Sequence, residues 1–297
     1  MTLLPFRKPE LNDAELVRSC TATTYCSDLS FSNLYLLKEK YGTEILFHME
    51  HLIRRFTGSG RLQGYTFPVG GKSETIDACL RAIEADAVER GAPLKYCLLT
   101  EEQANYLYNY YGKRAQFTCD NGDADYLYKR ENLADLPGTL YHKKRNHISR
   151  FLRTCPTARF EALTQENAKD ALWVAEQWLH AQEDNAGLEH EFRAINHAIN
   201  QMEILQLCGG IVYVEQQPVS MAIASLINPR VADIHYEKCI PAMRDAYPYI
   251  NRELARYLDV DFINREEDLN MEGLRQAKLS YHPDLILKKM KAEIYVD

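Results

Sequence analysis

Apolar and polar positions change period along the chain, and those changes mark its elements. Residues 10–18 and 30–40 read as short helices, 44–50 and 51–57 as paired strands, and 63–69 as a third strand. A strong helix is expected over 73–90. Ile76, Leu80, Ile83 and Ala87 share one face, Ser73 stands at the N-cap and Gly91 ends it. Residues 94–100 read as a strand, 101–111 as a helix closed by Gly112, and 116–119 and 126–128 as short strands. A basic segment at 141–153 reads as a helix, after which Cys155-Pro-Thr breaks the chain.

The second half begins with two amphipathic helices. Residues 166–183 carry Trp173 and Trp178, and 188–205 carry the stripe Leu188, Phe192, Ile195, Ile199 and Met202. Segments 210–215, 219–227 and 232–240, with turns at Gln216-Gln217 and Asn228-Pro229, form an antiparallel meander. A helix over 248–258 has Pro248 in its first turn. Strand 260–263, helix 272–281 and strand 285–294 complete the chain. The order helices, meander, helix, strand, helix, strand thus occurs twice. It predicts two structural repeats, residues 1–153 and 154–297, without a residue-level repeat.

Composition narrows the class. At 297 residues, with 46% apolar and 26% charged residues, the chain can bury sizeable cores. Nineteen Tyr against ten Phe favours aromatics with a polar tip, which suit half-wet clefts. A net charge of −7 argues against a surface that grips nucleic acid everywhere, though not against a local basic patch. None of the eight cysteines has C-x-x-C spacing, so reduced, mostly buried thiols and a cytoplasmic location are expected. No apolar run of about 18 residues suggests a membrane span.

Candidate chemistry falls in four places. After the apolar strand, six of the eight residues from Asn264 to Met271 are charged or amide-bearing, where an open α/β sheet collects ligands. A solvated turn is the plainer account. On the meander, His235, Glu237 and Cys239 alternate against Tyr236 and Lys238; Glu237 or His235 is a candidate general base and Lys238 a candidate for neutralising an oxyanion or a carboxylate, although a lone acid on a strand is more often an ion-pair partner. Phe67-Pro-Val-Gly70-Gly71-Lys72-Ser-Glu74 has the ingredients of an anion cradle, although a tight turn with Ser73 as cap is simpler. The segment 142–153 holds five Lys or Arg and no acid. Lys143, Lys144 and Arg145 are candidate phosphate ligands, with Lys143, His147 and Arg150 on one helical face; pairing with acidic neighbours is the equal alternative. His142 and His147 lie five apart, one more than an i,i+4 metal pair, so no metal is expected.

The element order is that of the GCN5-related acyltransferase fold. Three segments carry a closer resemblance: Tyr65-Thr-Phe-Pro-Val-Gly70, Leu140-Tyr-His-Lys-Lys-Arg-Asn-His-Ile-Ser-Arg-Phe-Leu152, and Asn264-Arg-Glu-Glu-Asp-Leu269 with Gly273-Leu-Arg-Gln-Ala-Lys-Leu-Ser-Tyr-His-Pro283. The chain resembles the proteins similar to the C-terminal domain of phosphatidylglycerol lysyltransferase, relatives of the aminoacyl-tRNA-dependent transferases. The resemblance implies an α/β (α+β) fold of two tandem GNAT-like domains, each a mixed, mostly antiparallel sheet flanked by helices. A reaction follows less directly, since fold does not fix function. In the second repeat Ala242-Met-Arg-Asp-Ala-Tyr-Pro248 contains no glycine where acyl-CoA users of the fold hold pyrophosphate. A donor on a larger carrier such as tRNA fits better than acyl-CoA.

The expectation is therefore acyl or aminoacyl transfer to an amine or hydroxyl acceptor, a small molecule or a lipid head group. The alternatives are CoA-dependent N-acetylation and a non-catalytic binding module. A cleft lined by Lys238, Asn264, Arg265, Glu266, Asp268, Arg275, Lys278 and Tyr281 is expected. In it Glu237, Lys238, Asn264, Glu266 and Asp268 are the catalytic candidates, and Arg265, Arg275, Lys278 and Tyr281 the substrate ligands. Donor, acceptor and oligomeric state stay open.

Overall fold

The computed structural model describes residues 3–182 and 186–295. The strands are β1 (Thr43–His48), β2 (His51–Phe56), β3 (Gly64–Tyr65), β4 (Leu94–Leu99), β5 (Ala115–Cys119), β6 (Asp125–Lys129), β7 (Arg159–Ala162), β8 (Leu207–Val214), β9 (Gln217–Asn228), β10 (Val231–Cys239), β11 (Phe262–Asn264), β12 (Leu285–Leu287) and β13 (Met290–Ile294). The helices are α1 (Ala14–Cys20), α2 (Phe31–Leu36), α3 (Lys38–Tyr41), α4 (Ile76–Glu89), α5 (Glu101–Tyr111), α6 (Arg130–Asp135), α7 (His142–Thr154), α8 (Ala168–His180), α9 (Ala186–Asn200), α10 (Tyr247–Tyr257) and α11 (Glu272–Leu279).

Two mostly antiparallel sheets result. The first runs β1-β2-β3-β4-β13-β5 and the second β12-β6-β11-β10-β9-β8-β7. The parallel pairs β3–β4 and β10–β11 make each sheet mixed. The chain packs into two units. One comprises Met1–Asp125, Glu267–Met271 and Leu287–Asp297; the other Tyr126–Glu266 and Glu272–Ile286. The boundary expected after Arg153 is therefore not where the packing divides: the basic helix α7 belongs with the second unit. The single strand expected over 285–294 is two strands in different sheets, because β12 lies beside β6 while β13 inserts between β4 and β5.

In the first unit the stripe on α4 is buried as its spacing predicts. Leu80 and Ile83 are fully buried with Ile53, Tyr65, Leu99 and Leu107. Ser73 does not cap α4. It opens a short 3-10 turn, Ser73–Thr75, whose N-cap is Lys72. The adjoining glycines are fixed by packing. Gly70 has φ of +95°, and a Cβ there would come within 2.6 Å of Cys20; at Gly71 a Cβ would meet the His51 ring at the same distance.

In the second unit the core gathers Tyr128, Ile148, Phe151, Ala171, Val174, Ile211, Ile223, Ile250, Leu254 and Ile263. These come from strands, from α7 and from α8 and α10, so the basic helix is held by its apolar face. Tyr128 hydroxyl donates to Lys278 carbonyl at 2.8 Å, and Tyr141 hydroxyl to Tyr281 carbonyl at 3.0 Å. Both bonds tie the end of α11 into this core.

Candidate active site

The chemistry of the second unit collects at β10 and the end of β11. In β10, Asp233 stands opposite Ser225 of β9 and Ile234 opposite Ala224, but Tyr236 stands opposite Ile223. His235 is thus the extra residue of a β-bulge, a device that re-aims a side chain. Its Nε2 lies 2.8 Å from Ser225 Oγ, and its Nδ1 3.2 Å from Glu266 Oε1 and 3.6 Å from Asp233 Oδ2. The His235 and Asp233 side chains are buried, whereas Glu266 keeps 27% of its side chain exposed. A hydrogen-bonded chain therefore runs from a buried serine through an imidazole to a carboxylate that reaches solvent. Glu266 sits at φ of +57°, and its N–H donates to Asn264 Oδ1 at 2.7 Å. A left-handed glutamate stores about 1 to 3 kcal/mol, the kind of strain that clusters at functional sites.

One residue pair further on, Glu237 and Arg265 form a second group. Arg265 Nη2 donates to Glu237 Oε2 at 2.5 Å, and Asn251 Nδ2 of α10 to Glu237 Oε1 at 3.4 Å. Burial lowers the Arg265 pKa, but the Glu237 carboxylate outweighs it and holds the guanidinium above its ordinary value. Arg265 also lies against the buried Tyr281 ring, 5.0 Å from its centroid, and Lys144 Nζ of α7 is 3.6 Å from the same centroid. Lys144 donates to Ser280 Oγ at 2.7 Å.

The other expected residues have contacts of their own. Lys238 points away from Glu237, as alternation requires. Its ammonium is 2.9 Å from Glu191 Oε1 and 3.5 Å from the Trp178 ring centroid, already neutralised. Burial lowers its pKa, with Glu191 opposing. Asn264 is fully buried and shapes the Glu266 turn. Asp268 is fully buried in the first unit, where it accepts from Asn270 N–H at 2.8 Å. Arg275 lies 4.0 Å from Glu272 on α11, and Lys278 is buried near the Tyr126 ring.

The phosphate candidates divide likewise. Gly71 N–H donates to His51 Nδ1 at 3.2 Å, and Lys72 carbonyl is bonded by Thr75 hydroxyl, so this turn is satisfied internally. Arg145 donates to Leu136 and Gly138 carbonyls at 2.5 and 2.7 Å and clamps the turn before α7. Arg150 pairs with Asp245. Lys143 stays exposed and Lys144 is half-buried.

Sequence reasoning missed Asp233, Ser225, Asn251 and Glu191. Asp233 had a signal, standing two residues before His235 on one strand; Ser225 and Asn251 had none, since only register and helix packing bring them in. Asp233, His235 and Glu266 also offer ligand atoms within 4.8 Å of one another, as do Asp28, Asp125 and Glu267 of the first unit. In the latter the Lys289 ammonium already sits 2.5 Å from both aspartates. In the former the hydrogen-bond chain accounts for the geometry.

Residues 21–292 match the family described as phosphatidylglycerol lysyltransferase, C-terminal, and the chain belongs to that family. A conserved protein of unknown function from Bacteroides thetaiotaomicron shares 32% identity and a TM-score of 0.92, over 99% of this chain and 100% of that one. A C-terminal domain assigned to a lysylphosphatidylglycerol synthetase of Agrobacterium fabrum has a TM-score of 0.66 at 14% identity, covering 96% of this chain and 92% of that one. A tandem GNAT protein from the clavulanic acid biosynthesis pathway shares the fold at a TM-score of 0.52 and 10% identity, over 98% and 99% of the two chains. An uncharacterised protein of Mycoplasmoides gallisepticum is 25% identical over 178 residues, 57% of this chain and 56% of that relative, so the match spans little more than half of it. Among the described residues no helix is long and apolar enough to cross a membrane.

Proposed function

We propose that the chain transfers an acyl or aminoacyl group from an ester donor to an amine or hydroxyl acceptor, with Glu266 and His235 as the base. The observation that carries this reading is the Ser225–His235–Glu266 chain, which ends on a half-buried carboxylate held in a strained turn. The acceptor N–H or O–H gives its proton to Glu266 as its lone pair attacks the donor carbonyl. The new C–N or C–O bond forms, the ester C–O bond breaks, and the proton passes to the departing oxygen. His235 fixes the carboxylate and spreads its charge towards Ser225.

Family membership supports the transferase class, and the lysylphosphatidylglycerol synthetase relative supports a lipid head group as one acceptor to try. Aminoacyl-tRNA is the preferred donor. The turn before α10, Pro241–Ala246, contains no glycine and leads into Tyr247, whose hydroxyl accepts from Cys239 N–H. That is a poor cradle for the pyrophosphate of CoA. Incubation with charged tRNA or acetyl-CoA, each with phosphatidylglycerol and with small amines, should give an acylated product from charged tRNA. Product from acetyl-CoA alone would replace this reading with N-acetylation.

A further inference from the structure

We propose that Arg265 and Lys144 form an oxyanion site in the second unit, built for one phosphate or carboxylate group of the substrate. The proposal rests on the transferase reading for its purpose, but not for its geometry. Glu237 engages Nη2 of Arg265, while Nη1 is buried with no hydrogen-bond partner. A buried guanidinium N–H without an acceptor costs free energy that a ligand oxygen would recover. Lys144 lies against the same Tyr281 ring, so two cations share one aromatic platform.

The charges point the same way. The groups facing Lys144 are Arg265 beyond β11, Glu237 of β10, and Ser280 and Tyr281 after α11. Together they provide two cations and one carboxylate, one positive charge in excess. Burial first, then Arg265, lowers the Lys144 pKa to about 8, with Glu237 opposing. An anion between the cations would complete the charge balance, pair Nη1 and hold the proton on Lys144. Asn251 Oδ1, buried and also without a partner, places an acceptor on the other side of Glu237. The group carrying the anion is therefore expected to bring a hydroxyl or amine donor as well.

Calorimetry on the full chain at pH 8 tests this with inorganic phosphate, acetate, glycerol 3-phosphate, AMP and dihexanoyl-phosphatidylglycerol. At least one probe should bind with proton uptake, seen as an enthalpy that changes with the ionisation heat of the buffer. The tightest probe then separates a lipid, a nucleotide and a carboxylate source. Removing Arg265 would strand Glu237, so Lys144 is the residue to vary. Lys144→Met should weaken binding about tenfold, the loss of one charge-assisted contact, and abolish the proton uptake, while Lys144→Arg should keep the affinity. Absence of binding by every probe, or unchanged affinity in Lys144→Met, overturns the site. If acyl transfer then persists, the transferase reading survives that failure; anion binding without any transfer would leave the site and remove the reading.

Discussion

Replacing Glu237 by leucine would leave Arg265 charged, buried and without its carboxylate. The two side chains are only 12% and 15% exposed, so solvent screens them little, and their contact is 2.5 Å. Breaking a buried pair from one side costs roughly 3 to 5 kcal/mol, because the remaining ion is uncompensated. For a unit of about 150 residues that lowers the thermal midpoint by about 10 °C or more. Glu237→Leu combined with Arg265→Met should recover most of the loss, since apolar replacements of similar volume are often neutral. Thermal denaturation of the wild type, both single variants and the double variant gives the cycle. A Glu237→Leu loss of less than about 1 kcal/mol, the range of exposed pairs, would refute the view that this pair is a desolvated anchor.

Three further predictions concern the first unit. Burial raises the Asp28 pKa, but Lys289 and Arg61 outweigh it and bring it to about 2. A depressed folded pKa stabilises above the unfolded value near 4, and that stability is lost as pH falls towards 2. The unfolding free energy should therefore drop across that window by on the order of 2 kcal/mol, read by denaturant melts, and Asp28→Asn should flatten the drop. Gly70→Ala should destabilise by about 1 to 3 kcal/mol, because its Cβ meets Cys20 in a left-handed turn. Lys72→Ala should be nearly silent in the same melts and in phosphate binding; a fall in phosphate affinity would restore the anion-cradle reading of that turn.

Periodicity made most elements legible. The stripe on α4, the helix closed by Gly112 and the meander over β8, β9 and β10 all follow from spacing and breakers. What spacing cannot show is partnership. Residues 285–294 look like one apolar strand, yet Lys288 and Lys289 divide it, and Lys289 is drawn to Asp28 and Asp125. The polar run after β11 was legible as unusual. The pairing of Arg265 with Glu237 was not legible, since it depends on β10 lying beside β11. His235 was read as an alternating strand residue and a candidate base; the bulge that joins it to Ser225 and Glu266 depends on register with β9, which no local pattern carries. Arg145 looked like a phosphate ligand, but carbonyls left open at 136 and 138 claim its guanidinium.

The proposed function stands or falls with the His235–Glu266 pair as the base for acyl transfer. The most direct measurement is the single-turnover rate of transfer from aminoacyl-tRNA for wild type, Glu266→Gln and His235→Gln, with circular dichroism and thermal midpoints measured alongside. Rates should fall by about 100-fold or more in both variants, with folding retained. Full rates in well-folded Glu266→Gln would contradict that assignment.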